Sequence, residues 1–418
     1  MNDKPRFILS VGSAAFLVYF CMYAFRKPFT VGLFDDVDFF GFDYKIVLIL
    51  TQVLGYACSK MIGITVISSL LKRHRPLMIL GLVAVSEIAL LGFALVEPPF
   101  NFVFLFFNGL PLGMIWGVVF SYLEGRRATE LMAVILSASF IMASGVTKSV
   151  GKYLMVDLQV TEYWMPVATG ALFILPLIIA VWWLEQTPPP TPDDLAMRHA
   201  RLPMDANDRK TLFFGIWPGM LSIIFMYFIL TAFRDYRDNF AADIWADVGM
   251  AENVEVFAQT EILIAIISLV IMACLFFVRN NIKAMKVVLL VMIAGLSMLG
   301  LGTYFYQQAI INDPFIWMVL IGLGAYIAYI PVGSILFERI IASLQYRSNA
   351  GFLIYIADTA GYAGSILLLL YKEFYFHDST VIEFFILFSY ATAAIGVVSL
   401  LFSYRYFDKR MPGALGAG

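Results

Sequence analysis

Long apolar runs alternate with short polar segments along the whole chain. Twelve runs reach the ~20 residues that a helix needs to cross hydrocarbon. They fall at roughly 7–27, 45–71, 76–96, 100–123, 130–154, 163–184, 211–234, 255–278, 284–306, 315–337, 348–371 and 381–406. The runs are too long for strands and lack strand alternation. The longest polar stretch between them, 185–210, contains Thr187-Pro188-Pro189-Pro190-Thr191-Pro192 and has the composition of a linker. It divides the helices six and six. The pattern predicts an all-α membrane protein of twelve transmembrane helices: an N-terminal six-helix bundle over 1–184, a cytoplasmic linker over 185–210 and a C-terminal six-helix bundle over 211–418.

Composition sharpens the class. Sixty-one per cent of residues are hydrophobic, only 14% are charged, and the mean hydropathy is +0.84, which excludes an ordinary soluble protein. With both termini placed in the cytoplasm, most of the 28 Lys and Arg fall on the termini and the cytoplasmic loops. That bias sets the expected orientation, and a bacterial inner membrane is the simplest location. The first apolar run lacks a signal-peptide cleavage pattern and is expected to be retained. A net charge of −2 with no basic run argues against nucleic acid as a partner. Cys21, Cys58 and Cys274 lie in apolar runs, and His74, His199 and His377 are scattered. Neither set suggests a disulfide framework, a metal site or a cofactor. No motif for an intramembrane enzyme is present. The expected partners are the lipid bilayer and a small anionic substrate, and the chain is taken as a monomer.

Two positions break the charge pattern. Arg26 closes the first apolar run and Arg234 closes the seventh. Arginine in hydrocarbon is costly, so it is paired, faces a cavity or snorkels. Tyr19, Tyr23 and Arg26 are spaced i, i+4, i+7 and share one helix face. A guanidinium framed by phenols can grip a phosphate or carboxylate. Alternatively, Arg26 and Lys27 reach the interface while the tyrosines form an aromatic belt. For Arg234 the alternative is an ion pair with Asp235 or Asp238 in a charged outer loop. Matching arginines in two halves point to a two-lobed transporter with an anion site.

Several segments resemble a known family. Tyr19-Phe20-Cys21-Met22-Tyr23-Ala24-Phe25-Arg26-Lys27-Pro28-Phe29 is similar to the first helix of the organophosphate:phosphate antiporters, which carry a tyrosine-rich segment ending in Arg-Lys-x-Phe. These are the glycerol-3-phosphate and hexose-phosphate transporters of the major facilitator superfamily. Gly55-Tyr56-Ala57-Cys58-Ser59-Lys60 resembles the family's Tyr-Gly-x-Ser-Lys, and Gly113-Met114-Ile115-Trp116 its Gly-Met-Gly-Trp. Glu261 sits where the family has an intramembrane glutamate. Tyr329-Ile330-Pro331-Val332 resembles Tyr-Gly-Pro-Val. Ala350-Gly351-Phe352 and Gly361-Tyr362-Ala363-Gly364 resemble parts of helix 11. The resemblance implies substrate binding by Arg26, Arg234, Tyr19, Tyr23, Tyr329 and Tyr362, with inorganic phosphate as counter-substrate.

The departures are specific. Where the family has a substrate-contacting histidine in His-Asn-Val-Gly, this chain reads Lys148-Ser149-Val150-Gly151, which makes Lys148 a second candidate anion contact. The superfamily's Gly-x-x-x-Asp-Arg loop is replaced by Ser69-Leu70-Leu71-Lys72-Arg73-His74-Arg75. A tyrosine expected one turn before Arg234 is Thr231. Acids also fall within apolar runs. Glu261 is a candidate gate partner of Lys60. Asp358 is a candidate proton-coupling site or counter-ion of Lys148. For Glu87, next to Ser86, an interhelical hydrogen bond is the plainer reading. Together these features predict a secondary transporter that exchanges a phosphate ester for inorganic phosphate by alternating access. A proton-coupled symporter of an organic carboxylate such as a sugar acid, and a non-transporting sugar-phosphate sensor, are the alternatives.

Overall fold

A computed structural model describes residues 5–68, 71–124, 126, 129–191, 206–344, 350–377 and 379–410. The helices run α1 Pro5–Tyr23, α2 Tyr44–Ser68, α3 Arg75–Leu95, α4 Phe102–Leu123, α5 Thr129–Val156, α6 Met165–Glu185 and α7 Ala206–Asn239. They continue as the short α8 Ala241–Asp247, then α9 Val256–Phe276, α10 Asn281–Gln307 and α11 Pro314–Pro331. A π turn at Val332–Leu336 joins α11 to α12, Phe337–Leu344; α13 is Ala350–Tyr375 and α14 Val381–Arg410. Among the described residues, 12 helical segments are long and apolar enough to cross a membrane, Pro314–Ser343 counting as one. The all-α, twelve-span architecture is the one the hydrophobic pattern predicts.

Two helix ends differ from expectation, and both matter for the arginines. The first span stops at Tyr23, three residues before Arg26. Proline lacks a donor N–H and cannot add to the hydrogen-bond ladder of a preceding helix. Pro28 accordingly opens a separate 3-10 turn, Pro28–Val31, and Arg26 sits in the bend between the two. The seventh span instead runs on to Asn239, so Asp235, Arg237 and Asp238 lie on the helix and not in an outer loop. Nothing in Arg234–Asn239 breaks a helix, and polarity alone does not end one. One element went unseen in the sequence: a two-stranded hairpin, β1 Asp38–Phe39 and β2 Phe42–Asp43, pairs antiparallel around Gly41 at φ +84, a conformation that glycine adopts without steric cost.

The chain forms two compact units. The first comprises Met1–Arg198, Asp238–Ile262 and Leu369–Val381; the second comprises His199–Arg237, Leu263–Leu368 and Ile382–Gly418. In the first, α1 packs on α4, α5 and α6, α2 lies along α4, and α3 packs on α4 and α6. In the second, α10 lies along α11. There Ser222 of α7 donates to the Ser399 carbonyl of α14 at 2.6 Å.

Small residues allow these approaches, as is usual between membrane helices. The α2–α4 contact is reciprocal. A Cβ at Gly55 would strike the Phe106 carbonyl oxygen, and one at Gly109 would strike the Gln52 carbonyl oxygen. Backbone cannot yield as a flexible side chain can. Gly109→Val is therefore expected to force α2 and α4 apart and destabilise the protein by about 1–3 kcal/mol. Thermal unfolding in detergent tests this; Gly81→Ala, where a Cβ meets nothing within 4 Å, is the control that leaves the midpoint unchanged.

Candidate functional site

In the first unit, the face carrying Tyr19 and Tyr23 meets Tyr56 of α2 and Trp116 of α4. The Tyr19 ring lies edge-on to Tyr23 at 5.6 Å and to Trp116 at 4.9 Å. The Arg26 guanidinium stacks over Tyr56, 4.0 Å from its ring centroid, with Tyr23 at 5.7 Å. Lys60 lies 5.8 Å from the same Tyr56 ring. Tyr19 and Tyr56 are 4% and 3% exposed. A cation on a desolvated aromatic face is worth ~2 kcal/mol or more. Four sequence-predicted residues thus converge, and Tyr56 is the ring that joins them.

The bend that carries Arg26 is held by buried amides. Helix ends leave carbonyls without intrahelical donors. Asn108 of α4 donates to the Phe25 carbonyl at 2.8 Å and to Ser86 Oγ at 2.6 Å. Gln52 of α2 donates to the Arg26 carbonyl at 3.0 Å and to Asn108 Oδ1 at 2.7 Å. Neither amide stood out in the sequence, where each is one polar residue in an apolar run. Their role exists only because α1 stops early.

The second unit repeats the theme. Arg234 stacks over Tyr329 of α11, again 4.0 Å from the centroid. Tyr227 stacks on Tyr329 at 4.9 Å, and its hydroxyl donates to Asp358 Oδ1 at 3.0 Å. Arg234 Nη2 pairs with Asp235 at 2.7 Å, and Ser365 donates to the other Asp235 oxygen at 2.7 Å. The local ion pair expected as an alternative therefore exists, with Asp235, alongside the aromatic contact. Tyr227 precedes Arg234 by seven residues, as Tyr19 precedes Arg26. A search one turn upstream finds Thr231, which packs on Gly361; two turns upstream finds the tyrosine. Tyr362, next to Gly361 on α13, is half-buried.

Asp238 belongs to the first unit and gathers two lysines. Lys27 Nζ lies 2.5 Å from one carboxylate oxygen and Lys148 Nζ 2.5 Å from the other. Ser144 donates to Asp238 as well, and Lys27 donates to Asn239 at 2.8 Å. The lysines are 5% and 3% exposed. Nearby, Lys45 pairs with Asp243 of α8 at 2.6 Å. Burial raises the Asp243 carboxyl above its ordinary value, and the Lys45 charge opposes that shift without cancelling it. The counter-ion of Lys148 is thus Asp238 and not Asp358, which Tyr227 holds instead. Glu261 is buried on α9 against Gly145 of α5.

A family model described as a family of unknown function (DUF5690) matches residues 28–410. The chain belongs to the DUF5690 family. The match takes in the second-unit cluster whole and, in the first unit, begins just after Arg26. No curated protein matches the sequence. Solved structures do match across nearly all of this DUF5690 protein. The nucleoside transporter NupG is 17% identical with a TM-score of 0.60, covering 96% of this chain and 98% of that one. A D-xylose-proton symporter is 15% identical with a TM-score of 0.61, covering 96% and 97%. A mutant peptide transporter POT in complex with sulfate is 13% identical with a TM-score of 0.62, covering 96% and 95%. These likenesses establish the major facilitator fold of a multi-pass membrane protein.

The ion triad makes a testable demand on stability. Asp238→Asn removes the carboxylate charge that pairs with both Lys27 and Lys148 and leaves the two buried cations less compensated. The expected loss is about 3–5 kcal/mol, read as a lower unfolding midpoint in detergent. Lys148→Met leaves the Lys27–Asp238 pair intact and should lose distinctly less.

Proposed function

We propose that this protein is a secondary transporter of a small organic anion, most simply a phosphate ester exchanged for inorganic phosphate by alternating access. The observation that carries the reading is the repeated element. Each unit sets one arginine 4.0 Å over a tyrosine ring, with a second tyrosine seven residues before the arginine. Stacking fixes the plane of a guanidinium whose N–H edge can grip an oxyanion bidentately; at Arg234 the Nε and Nη2 edge is held by Asp235, so that grip would require the pair to open. In the first unit the same ring also has Lys60 beside it. Two cations at one ring suit a divalent phosphoryl group better than a monocarboxylate. The fold shared with nucleoside, xylose and peptide transporters supports a transport role. Cytoplasmic termini fit the lysine and arginine bias, and a bacterial inner membrane is the simplest location. Lys148 is matched by Asp238, so its part in substrate binding would require that pair to open.

The test is uptake of labelled phosphate into proteoliposomes preloaded with phosphate, without a pH gradient. Saturable exchange is expected. Arg26→Lys and Arg234→Lys should each reduce it roughly 10–100-fold, because lysine offers a point charge and no fork. Wild-type rates in both variants would overturn the assignment.

One observation favours a second reading. Asp358 lies within the Arg234 cluster and accepts a hydrogen bond from Tyr227, an arrangement suited to a proton-coupled symporter of an organic carboxylate. That reading predicts uptake that requires an inward proton gradient, needs no internal phosphate and is lost in Asp358→Asn. Exchange that persists at full rate in Asp358→Asn would exclude it.

A further inference from the structure

Glu87 is an acid that the proposed transport cycle leaves unused. It lies midway along α3, and its Oε2 is buried without a hydrogen-bond partner. The interhelical hydrogen bond that its position beside Ser86 suggested does not reach this oxygen. The carboxyl rests directly on the α6 backbone. A Cβ at Gly170 would overlap Glu87 Oε2 and would also lie 3.0 Å from the Phe25 ring. Glu87, Gly170 and Phe25 therefore meet at one point. The Phe25 carbonyl is the one held by Asn108, and the next residue is Arg26.

No charge matches this carboxyl from the helices packed on it. Phe102–Leu123 of α4 contains no charged residue, and in α6 the sole acid is Glu185 at the far end, bonded by Tyr122 at 2.5 Å. On α3 itself the other charge is Arg75, at its first residue. In the loop before α6, Glu162 accepts the backbone N–H groups of Leu33 and Phe34. Arg26, at the end of α1, is stacked on Tyr56. An unmatched carboxylate in hydrocarbon is strongly disfavoured, and the group neutralises by taking a proton.

We propose that Glu87 is a proton-binding site coupled to the Arg26 anion element: the neutral acid is the form that binds anion tightly, and loss of its proton weakens that binding. The inference rests on the reading of Arg26 as an anion contact. The physical link is twofold. An ionised Glu87 places a negative charge beside the Arg26 bend, where it competes with the anion for the guanidinium field. At an effective dielectric near 20, a unit charge about 12 Å from a guanidinium shifts affinity roughly tenfold. The charge also presses on Phe25, whose carbonyl fixes the bend. Binding anion and proton together would make transport through the first unit proton-dependent, separately from Asp358.

The experiment uses the full chain in nanodiscs, with two readouts. Infrared spectra across pH should show a protonated-carboxyl band that bleaches on alkalinisation, absent in Glu87→Gln and retained in Asp358→Asn. This readout needs no anion. Gly170→Ala, which pushes the carboxyl out of its niche, should move the bleaching to lower pH and serves if the glutamine variant does not fold. Calorimetric binding of sulfate, whose charge is constant over this range, should weaken roughly tenfold with rising pH in the wild type and stay tight in Glu87→Gln. A band that persists unchanged in Glu87→Gln overturns the proton site. A Glu87 band without any sulfate binding overturns the coupling and, with it, the anion reading of Arg26. Sulfate affinity that falls with pH equally in wild type and Glu87→Gln also overturns the coupling.

Discussion

Charge that enters hydrocarbon must be matched, and most of the chemistry of this chain follows from how each charge is matched. Arg26 and Arg234 lie on tyrosine rings. Lys27 and Lys148 share Asp238. Lys45 takes Asp243. Asp358 is held by a tyrosine hydroxyl. These solutions are not equivalent. An ion pair cancels charge, whereas a ring face stabilises a cation without neutralising it. Arg234 uses both a ring face and the Asp235 carboxylate, and the lysines of the triad use an ion pair.

How much could be read in advance follows the same division. The spans were legible because hydropathy over ~20 residues is a summed property, insensitive to any one side chain. The arginines and the Tyr19–Tyr23–Arg26 face were legible because a charge at the end of an apolar run is conspicuous. Partners were not legible. Asp238 looked like one more acid in a polar loop until α7 proved to continue through it. Tyr227 was hidden by a search at one helical turn when the relevant spacing is two. Tyr56 was visible in a motif, but nothing in the order of residues says that its ring will lie under Arg26. Gln52 and Asn108 acquire their purpose only from the early end of α1, a consequence of Pro28 that composition does not announce.

Lys148 shows how one buried charge organises its surroundings. A histidine can be neutral near pH 7 and needs no permanent counter-ion. A buried lysine remains charged only if something compensates for lost water. In this chain the compensation is Asp238, already the partner of Lys27. Asp238 thus serves two lysines, with Ser144 and Asn239 adding hydrogen bonds to the cluster. Lys148 is thus part of a buried network.

The two arginine elements are alike in outcome and unlike in backbone. In α7 the segment from Tyr227 to Arg234 is continuous helix, so backbone hydrogen bonding within the helix is sustained past the arginine. In α1 the helix ends at Tyr23, and the carbonyls of Phe25 and Arg26 depend on side-chain amides from two other helices. Yet the guanidinium reaches the same 4.0 Å from a tyrosine centroid in both. What recurs between the halves is therefore the ring–guanidinium contact and the seven-residue spacing, not the local fold. A contact that survives a change of backbone is a constraint in its own right, because a passive consequence of helix geometry would have been lost where the helix was lost. The same contrast explains why the first unit carries the more adjustable element. A bend held by two amides can respond to a charge at Glu87, whereas an intact helix has no comparable point at which to yield.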